Sequence, residues 1–66
     1  TAGKEICFQL IEQSKKYLKN NGSLQLVARH NKGGKTLSSK MQEVFGNVKV
    51  IAKKAGYWVY MSQKEN

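Results

Sequence analysis

Residues 29–36, RHNKGGKT, contain Gly34-Lys35-Thr36, which matches the end of a glycine-rich loop that holds nucleoside triphosphates. The complete pattern places another glycine five positions before Gly34, and this chain has Arg29 there. No later predicted strand ends in an aspartate that could hold magnesium beside a triphosphate. We therefore do not expect nucleotide hydrolysis.

The same segment could instead bind one phosphate of a nucleic-acid backbone. Gly33 and Gly34 allow a close backbone approach, and free N–H groups at a helix start favour an anion. The side chains that would surround the phosphate are those of Arg29, His30, Lys32 and Lys35. An ordinary strand-to-helix turn with solvated lysines explains the pattern equally well.

The remaining polar residues do not form a pattern typical of catalysis. His30 has no acidic neighbour in sequence, and Cys7 lies on an apolar helical stripe, where it is expected to be a small buried side chain. The four acids are scattered, at Glu5, Glu12, Glu43 and Glu65. One cysteine and one histidine do not make a zinc site. The sequence predicts no catalytic residue, no cofactor and no metal.

Aromatic side chains stand beside lysines near the end of the chain. Tyr57 and Trp58 follow Lys53 and Lys54, an arrangement that suits base stacking and phosphate contact. The alternative is that one of the two rings belongs to the core. Only one face of a small sheet is covered by helices, so one ring should remain available.

Charge points to the class of partner. The chain has 66 residues with 12 Lys and Arg against four acids, a net charge of +8 and a pI near 9.9. Such a field attracts polyanions, chiefly nucleic acid. No segment approaches the roughly 20 apolar residues of a membrane span. We expect structured RNA as the partner, no membrane and no small-molecule substrate, and the lone cysteine suits the cytoplasm.

Periodicity predicts five elements in the order α-β-α-β-β within one domain, residues 1–62, followed by a flexible tail, 63–66. Thr1 is a candidate cap for the first helix. The predicted elements are a helix over 4–19, a strand over 23–29, a helix from Leu37 that stops at Gly46, and strands over 47–53 and 57–62. The link Lys54-Ala55-Gly56 predicts a hairpin.

A helix between the first two strands makes them parallel, so the last strand can lie between them. This gives a two-layer α/β fold with a three-stranded mixed sheet and both helices on one face. Alternation predicts that Leu24, Leu26, Ala28, Val48, Val50 and Ala52 face the helices, with Gln25, Val27, Arg29, Lys49, Ile51 and Lys53 on the open face. The sequence does not fix which side chains of the last strand reach the open face. They are either Trp58 and Tyr60, or Tyr57, Val59 and Met61.

Five segments spread over nearly the whole chain carry a family resemblance: residues 2–4 (AGK), 22–27 (GSLQLV), 33–35 (GGK), 44–48 (VFGNV) and 52–57 (AKKAGY). In these segments the chain resembles the C-terminal part of small-subunit rRNA guanine-N2 methyltransferases, of the class I superfamily that uses S-adenosylmethionine. The resemblance implies half of a Rossmann-like doubly wound sheet. It also implies that the methyl-donor loop and the Asn-Pro-Pro-type catalytic turn belong to the other half, so no cofactor or catalytic residue carries over.

Two positions depart from the family pattern, Gln25 and Lys49, and both make the surface more polar or basic. Our first hypothesis is a non-catalytic RNA-binding protein, bound to ribosomal RNA and in contact with neighbouring ribosomal proteins. The alternatives are a part of an rRNA methyltransferase and a protein-docking module. The candidate RNA-binding residues are Arg29, His30, Lys32, Gly33, Gly34, Lys35, Lys49, Lys53, Lys54, Tyr57 and Trp58.

Overall fold

The computed structural model describes residues 2–65, so the candidate cap Thr1 and the last tail residue, Asn66, lie outside it. The predicted order α-β-α-β-β is confirmed. The elements are α1 (Ala2–Tyr17), β1 (Ser23–Arg29), a kinked turn (His30–Gly34), α2 (Lys35–Phe45), β2 (Lys49–Lys54) and β3 (Tyr57–Gln63). Both ends of α1 come two residues earlier than the periodicity predicts, and β2 is shifted towards the hairpin.

The sheet has the strand order β1-β3-β2, as the crossover argument predicts. β3 pairs antiparallel with both neighbours, so β1 and β2 run in the same direction although no neighbouring pair is parallel. The β2–β3 hairpin turns through Ala55 and Gly56, whose φ angles are 52° and 83°. Two successive positive φ angles define the turn type whose twist matches that of the strands.

A bulge in β2 corrects part of the predicted face assignment. Val50 is opposite Tyr60 but Ala52 is opposite Val59, so Ile51 is an extra residue on the β2 side. Beyond it the alternation is inverted, because one extra residue exchanges the two faces. Ala52 therefore lies on the open face rather than towards the helices. Lys53, opposite Trp58, lies on the helix side.

The core lies between the sheet and the helices. Its buried members are Ile11 of α1, Met41 and Phe45 of α2, and Tyr60 of β3. Leu24, Leu26 and Ala28 pack against them, which confirms the predicted inner face of β1. Because Tyr60 is buried, the phase of β3 is fixed: Trp58, Tyr60 and Ser62 face the helices, and Tyr57, Val59 and Met61 are on the open face.

Lys40 joins the two helices electrostatically. Its Nζ lies 2.8 Å from the Glu12 carboxylate of α1 and 3.5 Å from that of Glu43 on α2. The hydrogen bond to Glu12 raises the Lys40 pKa above its ordinary value. Glu12 and Glu43, two of the four acids of the chain, thus form ion pairs with Lys40.

Hydrogen bonds hold the start of the segment that the sequence assigned to a flexible tail. Gln63 is the last residue of β3, and its N–H and carbonyl are both bonded to the Asn47 side chain at 2.8 Å. The Lys64 N–H donates to the Gly22 carbonyl at 2.8 Å, and its Nζ donates to the Leu18 carbonyl at 2.9 Å. The ordered backbone therefore continues past residue 62.

Candidate nucleic-acid interface

Most of the predicted RNA-binding residues lie at one end of the sheet. β1 ends at Arg29, β2 ends at Lys54, and β3 begins at Tyr57, so all three meet at this end. The His30 N–H donates to the Gly56 carbonyl at 3.1 Å, which fixes the kinked turn beside the hairpin turn. We call the residues Arg29, His30, Lys32, Lys35, Lys53 and Lys54 the carboxyl-end cluster. Lys49 is separate, at the opposite end of β2.

The Trp58 ring is held between two members of this cluster. His30 stacks on it with centroids 3.5 Å apart and planes 13° apart. The Nζ of Lys53 lies 4.0 Å from the centroid. Two groups this close over one ring must occupy its opposite faces. Trp58 therefore has no free face for a base, and Lys53 reaches it only because the β2 bulge turns that lysine to this side.

His30 also shares a hydrogen bond with Tyr60, whose hydroxyl oxygen lies 2.8 Å from Nδ1. Partial burial lowers the His30 pKa below its ordinary value, and the charges of Lys35 and Lys53 lower it further. Burial raises the pKa of Tyr60. Near neutral pH both groups are thus uncharged, and the positive charge of the cluster comes from its lysines and Arg29.

Packing by itself requires a glycine at position 34. It is buried, with φ −60°, a conformation open to any residue. A Cβ at this position would overlap the Tyr60 hydroxyl and lie 2.9 Å from the Arg29 carbonyl oxygen. Gly33 has φ 106°, which favours glycine for its conformation. The Gly-Gly-Lys resemblance to a triphosphate loop is therefore explained by the turn itself.

The start of α1 closes a cavity against the kinked turn. The cavity has a volume of about 420 Å³ and is lined by Gly3, Lys4, Cys7, Lys32, Gly33, Thr36 and Leu37. Lys4 thus joins the carboxyl-end cluster, although sequence reasoning did not select it. No sequence pattern predicts that residue 4 lies near residue 32, because their proximity depends on how α1 packs on α2. Cys7 is half-buried in this wall rather than deep in the core.

The open face of the sheet carries the other predicted residues. Tyr57 stands between Arg29 and Lys54, and the Arg29 guanidinium lies 5.5 Å from the ring centroid. The next row consists of Val27, Val59 and Ala52, and the third of Gln25, Met61 and Lys49. Val27 is 64% exposed and Tyr57 48% exposed. The predicted RNA-binding residues therefore divide between two surfaces.

Two further features leave parts of the fold uncovered. α1 exposes Ile6, Leu10 and Tyr17, spaced so that they form one apolar stripe on the helix. β1 pairs only with β3, so its other edge has no strand partner within residues 2–65. Unpaired strand edges and exposed apolar helix stripes are each typical of surfaces that another segment covers.

Among residues 2–65 no group of histidine, cysteine or acidic side chains could hold a metal ion. Within the same range no helix has the length and apolar character needed to cross a membrane.

Residues 1–61 match the model of a protein family described as "Methyltransferase small domain". The chain is also similar to the uncharacterized protein YbxB of Bacillus subtilis (strain 168), with 33% identity over 63 residues. The similar region covers 96% of this chain but 31% of YbxB, so the chain spans about a third of the length of this curated relative.

Proposed function

The chain belongs to the methyltransferase small domain family, and on this premise we propose that it is the RNA-contacting part of a longer methyltransferase. In this proposal it does not transfer methyl groups by itself. The substrate class is structured ribosomal RNA in the cytoplasm, and the reaction of the whole protein is methylation of guanine N2. This finer assignment rests on the resemblance of segments such as 44–48 and 52–57.

The observation that carries the RNA contact is the carboxyl-end cluster. Six amines or guanidinium groups gather at one end of the sheet when Lys4 is included, at the end where α/β folds bind ligands. Glu12 and Glu43 are paired with Lys40 between the helices, and Glu65 lies beyond β3 at the opposite end. Glu5 follows Lys4 in the first turn of α1 and is the one acid near this end. A phosphate backbone would meet a predominantly positive surface there.

The observation that favours a longer protein is the exposed apolar stripe of α1. Ile6 is 63% exposed, Leu10 52% and Tyr17 82%. Covering them would remove apolar surface from water at roughly 25 cal/mol per Å². The methyl donor and the catalytic turn would be supplied by the part that covers this stripe.

A charge-reversal pair tests the RNA contact. Lys32→Glu with Lys35→Glu alters the cluster, while Lys16→Glu with Lys19→Glu makes the same charge change near the far end of α1. All four lysines are exposed. In titrations of a small-subunit rRNA fragment, we expect the first pair to weaken binding at least about tenfold more than the second. It should also lower the salt slope by about 1 for each phosphate that the cluster no longer neutralises. Equal weakening by the two pairs would contradict a localised site.

A second candidate is a stand-alone RNA-binding protein that forms a fixed component of a ribonucleoprotein. Its support is the net charge of +8 on 66 residues, since a basic chain of this size gains stability from a bound polyanion. Both candidates use the same RNA surface. They differ in the mass of the molecule that carries this sequence in cells.

A further inference from the structure

The two groups that cover the faces of the Trp58 ring are held very differently. His30 covers one face, with ring centroids 3.5 Å apart. The turn fixes this histidine, because its backbone N–H donates to the Gly56 carbonyl at 3.1 Å and its Nδ1 shares a 2.8 Å hydrogen bond with the Tyr60 hydroxyl. The His30 face of Trp58 is therefore closed.

The other face of Trp58 is covered by a side chain with no second anchor. The Lys53 Nζ lies 4.0 Å from the ring centroid. Among the residues that the structure describes, this ammonium makes no ion pair, and the lysines bonded through Nζ are Lys15, Lys40 and Lys64. β2 is exposed along its whole length and lies at the edge of the sheet. The Lys53 side chain can thus leave the ring for solvent without disturbing the core.

A nucleotide base competes favourably with Lys53 for this face. An exposed lysine over an aromatic ring contributes a factor of about two to five to an equilibrium constant. A base stacked on such a ring contributes a factor of about five to 150. A nucleotide also brings a phosphate with which the displaced ammonium can pair. The exchange therefore replaces a weak contact by two stronger ones.

The charges around Trp58 favour a polyanion as the source of the base. Lys32 and Lys35 follow His30 along the kinked turn and the start of α2, and Lys53 and Lys54 end β2. All four acids of the chain lie outside the three strands and the kinked turn. An RNA strand that contacted these cations would pass beside the Lys53 face of the ring.

We propose that Trp58 is a latent stacking site for one unpaired RNA base, and that Lys53 leaves the ring for a phosphate of the same strand when the base arrives. This inference rests on the proposed RNA contact and names the part of the RNA that is bound. A base within a duplex is already stacked on both sides, so the nucleotide must come from a loop, a bulge or a strand end.

Two single-stranded oligonucleotides of equal charge, each of about six nucleotides, test the site. The first is an oligouridylate, and the second has the same phosphates with stable abasic sugars throughout. At one fixed salt concentration and pH, we expect the oligouridylate to bind the unaltered chain at least about fivefold more tightly. It should also quench the fluorescence of Trp58, the one tryptophan of the chain, whereas the abasic oligomer should quench it far less.

NMR follows the departure of Lys53 directly. In the free chain, the ring current of Trp58 should shift the methylene protons beside the Lys53 Nζ upfield. Binding of the oligouridylate should return them to the ordinary lysine position. Lys40 is the control, because its Nζ lies over the Phe8 ring at 5.3 Å but is paired with Glu12. Its proton shifts should not change.

Matched variants locate the stacked base. Trp58→Leu should remove the preference for the oligouridylate over the abasic oligomer. Tyr17→Leu, the same kind of change at a ring of α1 that is 82% exposed, should retain it. The preference is a ratio measured on one variant, so a change in overall charge affinity cancels, and circular dichroism checks the fold. Lys53→Gln should retain the preference and lower the salt slope by about 0.7, the value for one phosphate of a single strand.

Several outcomes would overturn the proposal. These are equal affinity for the two oligomers, Trp58 fluorescence that does not change, Lys53 protons that stay shifted upfield in the complex, or a base preference that survives in Trp58→Leu. The first three are measured on the unaltered chain, so they decide even if Trp58→Leu does not fold. Salt-dependent binding of both oligomers would then leave the carboxyl-end cluster as an RNA contact. Absence of binding to both oligomers and to the rRNA fragment would contradict the proposed function as well.

Discussion

At the residue scale, Gly34, Tyr60 and His30 form the support beneath the lysines of the carboxyl-end cluster. Tyr60 is fully buried, its hydroxyl lies against the Gly34 backbone, and it shares a 2.8 Å hydrogen bond with His30. His30 then stacks on Trp58. The uncharged groups thus fix the turn, and the cations Lys32 and Lys35 project from it.

Gly34→Ala tests this packing. The added methyl group would overlap the Tyr60 hydroxyl, so we expect a decrease of about 1–3 kcal/mol in the free energy of unfolding, measured by urea denaturation. Tyr60→Phe removes the hydroxyl, so Gly34→Ala should cost less in the Tyr60→Phe background. Additive effects would show that the two groups do not interact.

The His30 pKa, which partial burial and then the charges of Lys35 and Lys53 lower from 6.5, predicts a pH dependence of stability. The unfolded chain takes up the His30 proton at a higher pH than the folded chain does. The stability contributed by neutral His30 is therefore fully present above pH 6.5. It is lost as the pH falls from there through the pKa of the folded state.

Fluorescence of Trp58 during urea unfolding measures this decrease between about pH 7.5 and 5.5, above the range in which most carboxylates titrate. We expect a lower urea midpoint at the acidic end for the unaltered chain and a smaller change for His30→Gln. The same pH dependence in the unaltered chain and in His30→Gln would show that another group causes the loss of stability.

At the scale of elements, the β2 bulge and the hairpin turn decide which side chains meet. The bulge at Ile51 moves Lys53 to the Trp58 side and Ala52 to the open face. The hairpin sets the register that places Tyr57 opposite both Arg29 and Lys54. The division of the cations into two surfaces is thus a property of one strand and its turn.

Ala55→Asn tests the hairpin geometry. Ala55 has φ 52°, a left-handed conformation that costs an ordinary residue roughly 1–2 kcal/mol, and asparagine tolerates it better. We expect a gain of about 0.5–1 kcal/mol in the free energy of unfolding. Gly56→Ala, at φ 83°, should have the opposite effect. If Ala55→Asn were destabilising, the assigned turn would be wrong.

Local patterns were sufficient to predict the elements, because helical spacing, the stop at Gly46 and the Ala55-Gly56 turn act over a few residues. The crossover rule then predicted the strand order. The bulge was not predicted, although Val50, Ile51 and Ala52 interrupt the alternation, because three apolar residues in a row also occur in a regular buried strand. The proximity of His30 to Trp58, and of Lys4 to Lys32, depends on register and helix packing, which local patterns do not encode.

At the scale of the whole molecule, three uncovered surfaces surround a small core. They are the α1 stripe, the β1 edge and the open face of the sheet. Within residues 3–65, whose burial the structure describes, only Ile11, Met41, Phe45 and Tyr60 are buried hydrophobic residues. A core of this size leaves a small domain marginal, which agrees with the proposal that it works as part of a larger protein.

The mass of the native molecule that contains this sequence tests the central proposal most directly. The chain itself has a mass of 7.4 kDa and spans 31% of its relative. Immunodetection in cell extracts, followed by intact mass measurement, should reveal a species about three times heavier, as 31% coverage implies. A stable species of 7.4 kDa as the major form would contradict the proposal and favour a stand-alone RNA-binding protein.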